Sequence, residues 1–411
     1  MVEGESAGVR CDRAERAAER AADRHHLIRI MPAKGARMEI VIIGAGVIGL
    51  ATAWRAAAGG AAVTLVDPAP MSGASSVAAG MLTPVSELTY GEEPLLRLGL
   101  ASRDRYPAFV AELEERTGLD VAHRTDGILE VAFDSGDLNY LDDLRRFQES
   151  LGIPTEALTG RECRRHEPML APGVRGGLLA PEDGSVDPRR LTPALLAAAE
   201  ALGARLVRRR AAGVLVERDR ATGVRLDDGT ELRADRVLIA AGPWSGDLEG
   251  VPAGVVPPVR PVKGQVIRLR TAVPFLRRCT RALVRGSSVY LVPRADGEIV
   301  VGATQEELGF DTRVTAGGLW ELLRDAHELL PGITELEFAE VSAGLRPGSP
   351  DNAPVMGASA LPGLYLGTGH FRNGVLLAPV SADILAATLL DEPVPAEAAP
   401  FTPDRFSPEV H

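Results

Sequence analysis

The chain has 411 residues, 45% hydrophobic and 25% charged, with a formal net charge of −11. That length exceeds what one small core needs and calls for two domains, or one with a large insertion, in a soluble globular composition. The acidic balance argues against a phosphate backbone as the main partner, so no nucleic acid is expected. The three scattered cysteines, Cys11, Cys163 and Cys279, contain no C-x-x-C pair; that argues against a disulfide framework or a metal centre and suits a reducing, cytoplasmic compartment.

Residues 1–37, with "CDRAERAAERAADRHH", read as a disordered leader or as a start placed too early, Met38 then being the first working residue; a short charged helix is the alternative. They contain no apolar stretch of the signal-peptide kind. Folding is expected from Met38. "EIVII" (39–43) is an apolar strand, "GAGVIG" (44–49) a turn, "VIGLATAWRAAAGG" (47–60) a small-residue helix closed by glycines, and "AVTLVD" (62–67) a second strand: one βαβ unit. The run "IVIIGAGVIGLATAW" is broken by glycines and lacks the flanks of a membrane span, so no membrane is expected.

Gly44, Gly46 and Gly49 form G-x-G-x-x-G between that strand and helix, and Asp67 ends the next strand about twenty residues on. Gly44 permits the tight turn, Gly46 admits a pyrophosphate, and Gly49 lets helix and strand pack; Val47 and Ile48 place free N–H groups at the positive end of the helix. Asp67 is positioned to accept from ribose hydroxyls. The alternative is a glycine-rich turn without a ligand.

A nicotinamide enzyme would continue with further βα units. This chain instead enters "GASSVAAGMLTPVS" (73–86), whose small residues Ser75, Ser76, Ala79, Gly80 and Met81 let a broad flat ring lie against backbone. Helices follow over 93–118 and 139–152 around a strand at 127–133, and a helix feeds a strand across 187–207. The basic run "VRRRAA" (207–212) reads as a solvated strand edge. Strands alternate to 242, with a hairpin turn at "DDGTE". The nucleotide fold resumes at "RVLIAAGPWS" (236–245), which holds Gly242 and Trp244. "GQVIRLR" (264–270), "VYLVPR" (289–294) and "EIVVGAT" (298–304) read as antiparallel neighbours, and 318–332 as a helix. Glu306 and Glu307 read as loop anchors rather than an acid–base pair. "GLRPGSPDNAP" (344–354) is too broken for a long strand, and "GLYLGTGHFRNGVLLAPVSADILAATLL" (363–390) reads as strand, turn and helix, its turn holding His370, Arg372, Asn373 and Gly374. Beyond Leu390 a proline-rich loose tail is expected. Interleaving of this kind suits FAD, whose two ends need separate walls.

Four segments, "IVIIGAGVIGLATAW", "ASSVAAGML", "ADRVLIAAGPWS" and "GLRPGSPDNAPVMG…GLYLGTGHFRNGVLLAP", make the chain from Met38 to about Leu390 resemble the FAD-dependent D-amino acid oxidase family, and within it the glycine oxidases linked to thiamine biosynthesis. The resemblance implies an α/β architecture: a Rossmann-like FAD-binding domain (38–85, 187–245 and 340–390), an antiparallel-sheet substrate domain (86–186 and 246–339) and a tail (391–411). It implies non-covalent FAD, since Cys279 lies in no motif matching the flavin-linking cysteine of sarcosine oxidases, and a homo-oligomer, often a tetramer. It carries over Arg346 as the grip on a substrate carboxylate, Tyr290 as an active-site tyrosine and Arg372 as an arginine near the flavin and the entrance.

Each carry-over has a plainer alternative: a salt bridge within the sheet for Arg346, a core tyrosine for Tyr290, and a turn cap or a solvent-facing charge for Arg372; His370, read from its place in the turn, is a backbone contributor rather than a base. Ser288 departs from the pattern, standing where a glycine oxidase carries histidine, which leaves substrate preference open. The expected partners are a small amino acid and O2, and the expected reaction is hydride transfer from the substrate α-carbon, giving an imine, then glyoxylate and ammonia, and hydrogen peroxide. A D-amino acid or sarcosine dehydrogenase passing electrons to another acceptor is one alternative; a non-catalytic flavin-binding module is another.

Overall fold

The computed structural model describes residues 37–284 and 286–406. The leader expected up to residue 37 lies, Arg37 apart, outside the described residues, as does Cys11. The chain begins as its apolar periodicity dictates, with β1 (Glu39–Ile43), α1 (Val47–Ala58) and β2 (Ala62–Val66). β1 and β2 are buried along almost their whole length because both faces of their sheet are covered. That six-stranded sheet runs Val355–Ala358, Leu364–Thr368, Arg236–Ile239, β1, β2, Arg205–Val207, and only its first pair is antiparallel.

On one face α1 packs with the helices Glu93–Thr117, Pro188–Ala201 and Ala378–Leu390 in a common core, where Trp54 meets Phe109 edge-on at 5.1 Å. The other face is covered by a three-stranded sheet of Ala211–Glu217, Arg220–Leu226 and Glu231–Arg233.

An eight-stranded sheet forms the second layer, in the order Glu337–Gly348, Arg260–Arg270, Glu298–Gly302, Ser287–Pro293, Cys279–Val284, Ile128–Ala132, Gly176–Ala180, Glu156–Thr159. All its pairs are antiparallel except Cys279–Val284 with Ile128–Ala132. The helix Ala316–Leu329 packs its apolar side on one face of this sheet. The mixed α/β architecture is therefore the expected one.

Two local expectations need correction. The segment around Arg346, read as too broken for a long strand, lies in the twelve-residue strand Glu337–Gly348, paired with Arg260–Arg270 through Val262↔Arg346 and Gly264↔Gly344. It is an edge strand, where Pro347 costs no ladder bond on the open side. The segment after Leu390, read as a loose tail, turns back on the core as far as it is described: Ala398 and Phe401 are buried against the α1 layer, and Arg405 bonds the Asp351 carboxylate. Glu306 anchors its loop as expected, accepting from Thr304 and Gln265 and pairing with buried Lys263.

Candidate active site

A cleft of about 570 Å³ runs between the two large sheets. Its first end is the turn from β1 into α1. Gly44 has φ +108°, and a Cβ there would overlap the Ala240 carbonyl; a Cβ on Gly49 would overlap the Gly44 carbonyl. Only glycine closes this turn. Gly46, by contrast, has nothing nearer to its Cβ direction than the Ser75 hydroxyl at 3.5 Å, which leaves room for a ligand beside the helix start. The Val47 N–H donates to Ser75 Oγ at 3.0 Å, and first-turn N–H groups beyond it have no intrahelical acceptor. At the end of β2, Asp67 accepts from the backbone of Ala45 (2.7 Å) and Ala69 (2.8 Å), which fixes its carboxylate at the cleft wall. A glycine cradle, a helix N-terminus and an aimed carboxylate fit a dinucleotide with two phosphates and a ribose.

The middle of the cleft is lined by Ile48, Ala79, Gly80, Met81, Gly242, Trp244, His370 and Gly374. Three candidates stand off it. Gly49 packs α1 on its strand; the Ser76 hydroxyl turns to the carbonyls of Ser72 and Gly73; Asn373 builds the turn, its N–H donating to the His370 carbonyl. His370 is 2% exposed, with a ring nitrogen 3.0 Å from Ser381 Oγ, and burial pushes its imidazole down to about 3.

At the far end the cleft wall is one face of the eight-stranded sheet, carrying Arg346, Tyr290, Gly264, Val266 and Gly344. The Arg346 guanidinium lies across Gly264, and the Tyr290 ring across Gly302; a Cβ on either glycine would overlap the side chain above it. Arg346 Nη1 donates to the carbonyls of Thr304 (3.2 Å) and Lys263 (3.3 Å), and among the described residues it pairs with no carboxylate. The Tyr290 hydroxyl has no hydrogen-bond partner among them. Burial raises its pKa, against the pull of the Arg346 charge. A guanidinium with no anion among the described residues and a phenol donor with no partner there are what a small carboxylate requires. Arg372 also lines the cleft; it is exposed, with its guanidinium 5.8 Å from the Phe371 ring. Ser288 is exposed and does not reach the cleft wall.

Three charged lining residues, Arg210, Asp247 and Glu87, escape a reading of the sequence. Arg210, from the basic run taken as a solvated edge, is exposed but borders the cleft near Asp67. Glu87 lies at the Tyr290 end. The signal for it was present: Glu87 is the single charged residue between Asp67 and Glu92. Among the described residues no cluster of side chains could hold a metal ion, and no helix is long and apolar enough to cross a membrane.

A mostly parallel sheet with its glycine cradle, joined to a mostly antiparallel sheet whose Arg346 has no carboxylate partner among the described residues, is a frame that suits a flavin-dependent oxidoreductase, and the chain belongs to the FAD dependent oxidoreductase (DAO) family, which it matches over residues 39–388. Its cofactor is FAD. It is 35% identical to the glycine oxidase of Geobacillus kaustophilus over 381 residues, 91% of this chain and 98% of that one. The crystal structure of that organism's glycine oxidase superposes with a TM-score of 0.82 at 34% identity, covering 89% of this chain and 98% of the other. It is also 35% identical over 357 residues to the bifunctional protein ThiO/ThiG of Nostoc sp., covering 86% of this chain but 53% of that protein, so it spans about half the length of that relative.

Proposed function

We propose that the protein is an oxidase of glycine or a similar small amino acid, gripping the substrate carboxylate between Arg346 and Tyr290. The observation that carries this is the Arg346 fork, without a carboxylate partner among the described residues, in the same cleft as the dinucleotide cradle. Ile48, Asp67, Gly46 and the helix start of α1 would hold the nucleotide; when bound, FAD supplies the two-electron acceptor that O2 returns to its oxidised form with release of hydrogen peroxide.

The residues' task is orientation. A carboxylate fixed by a planar fork and a phenol has one pose, so the α-carbon is presented in one direction. Arg346 is permanently charged, Tyr290 is raised by burial, and His370 is buried against Ser381, so none of the three serves as a base. The amine must therefore reach its neutral form without them. The imine product leaves to hydrolyse to glyoxylate and ammonia or, as the resemblance to thiamine-linked glycine oxidases implies, to feed thiazole synthesis. Cytoplasmic location and a homotetramer belong to the same proposal; light scattering on the purified protein checks the latter.

The test is anaerobic addition of glycine, sarcosine and D-alanine to the FAD-loaded protein. Bleaching of the flavin by one of them names the substrate, and peroxide on admitting air separates an oxidase from a dehydrogenase. A flavin that stays oxidised with all three overturns the reading.

A further inference from the structure

A small amino acid carries two opposite charges, and the grip described above accounts for one of them. Three carboxylates line the cleft: Asp67, Asp247 and Glu87. Asp67 is tied to the nucleotide turn and Asp247 follows the Gly242–Trp244 turn, with its N–H on the Trp244 carbonyl. Glu87 alone lies close enough to Tyr290 for its charge, with that of Arg346, to act on the phenol.

Its placement is built in. The Glu87 N–H donates to the Thr83 carbonyl, and the preceding residue, Ser86, is held by the buried Asp183 carboxylate, which accepts from both its N–H and its hydroxyl at 2.8 Å. Arg281 Nη1 pairs with Glu87 Oε1 at 3.1 Å and donates to the Ser86 carbonyl at 2.9 Å. Glu87 Oε2 accepts no hydrogen bond from a described residue. Arg281 is itself fixed by register, standing opposite Tyr290 on one side and Glu130 on the other, in a single row across the eight-stranded sheet. A buried cation thus holds one oxygen of Glu87, a residue of the cleft lining, and leaves the other without a hydrogen-bond partner among the described residues.

We propose that Glu87 recognises the amino group of the substrate and that Arg281 is the positioning residue that aims it. This rests on Arg346 gripping the carboxylate: a fixed positive fork and a fixed negative oxygen then flank Tyr290, matching the two ends of a zwitterion. An ammonium taken out of water needs such a partner. Glu130, the other acidic residue beside Arg281, does not line the cleft, whereas Glu87 does and pairs with Arg281 there.

Propionate is the control ligand, since a methyl replaces the ammonium of glycine at nearly the same size. In the FAD-loaded wild type, glycine, measured by the saturation of anaerobic flavin reduction, is expected to bind about tenfold or more tightly than propionate, measured by flavin perturbation, because the charge pair is worth about 1.4 kcal/mol or more. In Glu87→Gln the glycine KM is expected to rise by about tenfold while propionate binding shifts by less than about twofold, and kcat falls far less than kcat/KM. Arg281→Lys keeps the cation but loses the fork, and gives an intermediate rise in KM with kcat preserved.

The proposal is overturned if wild type binds propionate as tightly as glycine, a comparison that needs no variant to fold, or if Glu87→Gln weakens both ligands equally. If propionate binding depends on Arg346 but Glu87→Gln leaves glycine untouched, the oxidase reading stands and this one falls. If no small amino acid reduces the flavin and propionate does not perturb it, the carboxylate grip has failed and the amine site falls with it.

Discussion

Arg346 is charged at any working pH, so in a cleft it must be given an anion or solvent. Its two contacts, to the carbonyls of Lys263 and Thr304, steer the guanidinium without neutralising it. Replacing it by alanine removes charge-assisted hydrogen bonds worth about 3 kcal/mol. We expect kcat/KM for the amino acid to fall by roughly 100-fold or more in Arg346→Ala, with FAD still bound; steady-state kinetics on the flavin-loaded variant decide it, and unchanged kinetics would remove the grip. His370 makes a different statement at the same scale. The unfolded chain binds a proton on this residue below about 6.5, the folded one only below about 3. Between those values the unfolded state holds more protons, so this residue makes the fold less stable as pH falls. Asp183, raised to about 6 by burial, works in the opposite sense over part of the window. The clean measurement is therefore a difference: denaturant unfolding of wild type and His370→Gln at about pH 7 and pH 5, where the stability gap is expected to move in the variant's favour at the lower pH.

At the scale of elements, the cleft wall depends on where strands lack side chains. Gly264 and Gly302 sit on neighbouring strands, and each lies beneath a functional side chain of another strand. A methyl group there strikes the far end of Arg346 or the Tyr290 ring rather than backbone, so the protein yields by moving the side chain instead of unfolding. Gly264→Ala and Gly302→Ala are expected to keep the melting temperature within a few degrees and the flavin bound, yet to raise the substrate KM severalfold. Gly49→Ala strikes the Gly44 carbonyl, which is backbone; it is expected to cost flavin retention, read from the visible absorption of the purified protein. The same contrast explains what the sequence disclosed. The β1–α1–β2 unit is local, its glycines, helix and Asp67 lying within some thirty residues, so pattern alone located it. Arg346 was recognisable as a residue but not as part of a strand. Its partner strand lies some eighty residues earlier, and a glycine- and proline-bearing edge strand has no alternation to read. Glu87 and Arg281 meet through three-dimensional pairing that no spacing encodes, and the floors beneath Arg346 and Tyr290 were silent for the same reason.

Across the whole molecule the two sheets meet where the Arg346 strand ends. The Phe371 N–H donates to the Pro347 carbonyl at 2.9 Å, and Gly348 bridges to His370, so the turn that lines the middle of the cleft is hydrogen-bonded to the strand that closes it. The loop after that strand is pinned in turn from the C-terminal side. Asp351 accepts from Ser349 and the Ala353 N–H within its own loop and is clasped by Arg405 through Nε at 2.9 Å and Nη2 at 3.1 Å. Arg405 can do this because Phe401, four residues earlier, is 2% exposed in the core beneath α1 and Ala378–Leu390. A stretch whose prolines suggested looseness is thus a strap, and proline suits a strap because its stiff backbone loses little entropy on docking. Removing the buried ring leaves a cavity the core closes only in part. Phe401→Ala is expected to lose about 3–5 kcal/mol of stability in denaturant unfolding. Since the strap touches the loop rather than Arg346 or Tyr290, the folded fraction should keep the wild-type KM for the amino acid; a KM that rises in step with the lost stability would mean that the strap reaches the substrate end after all.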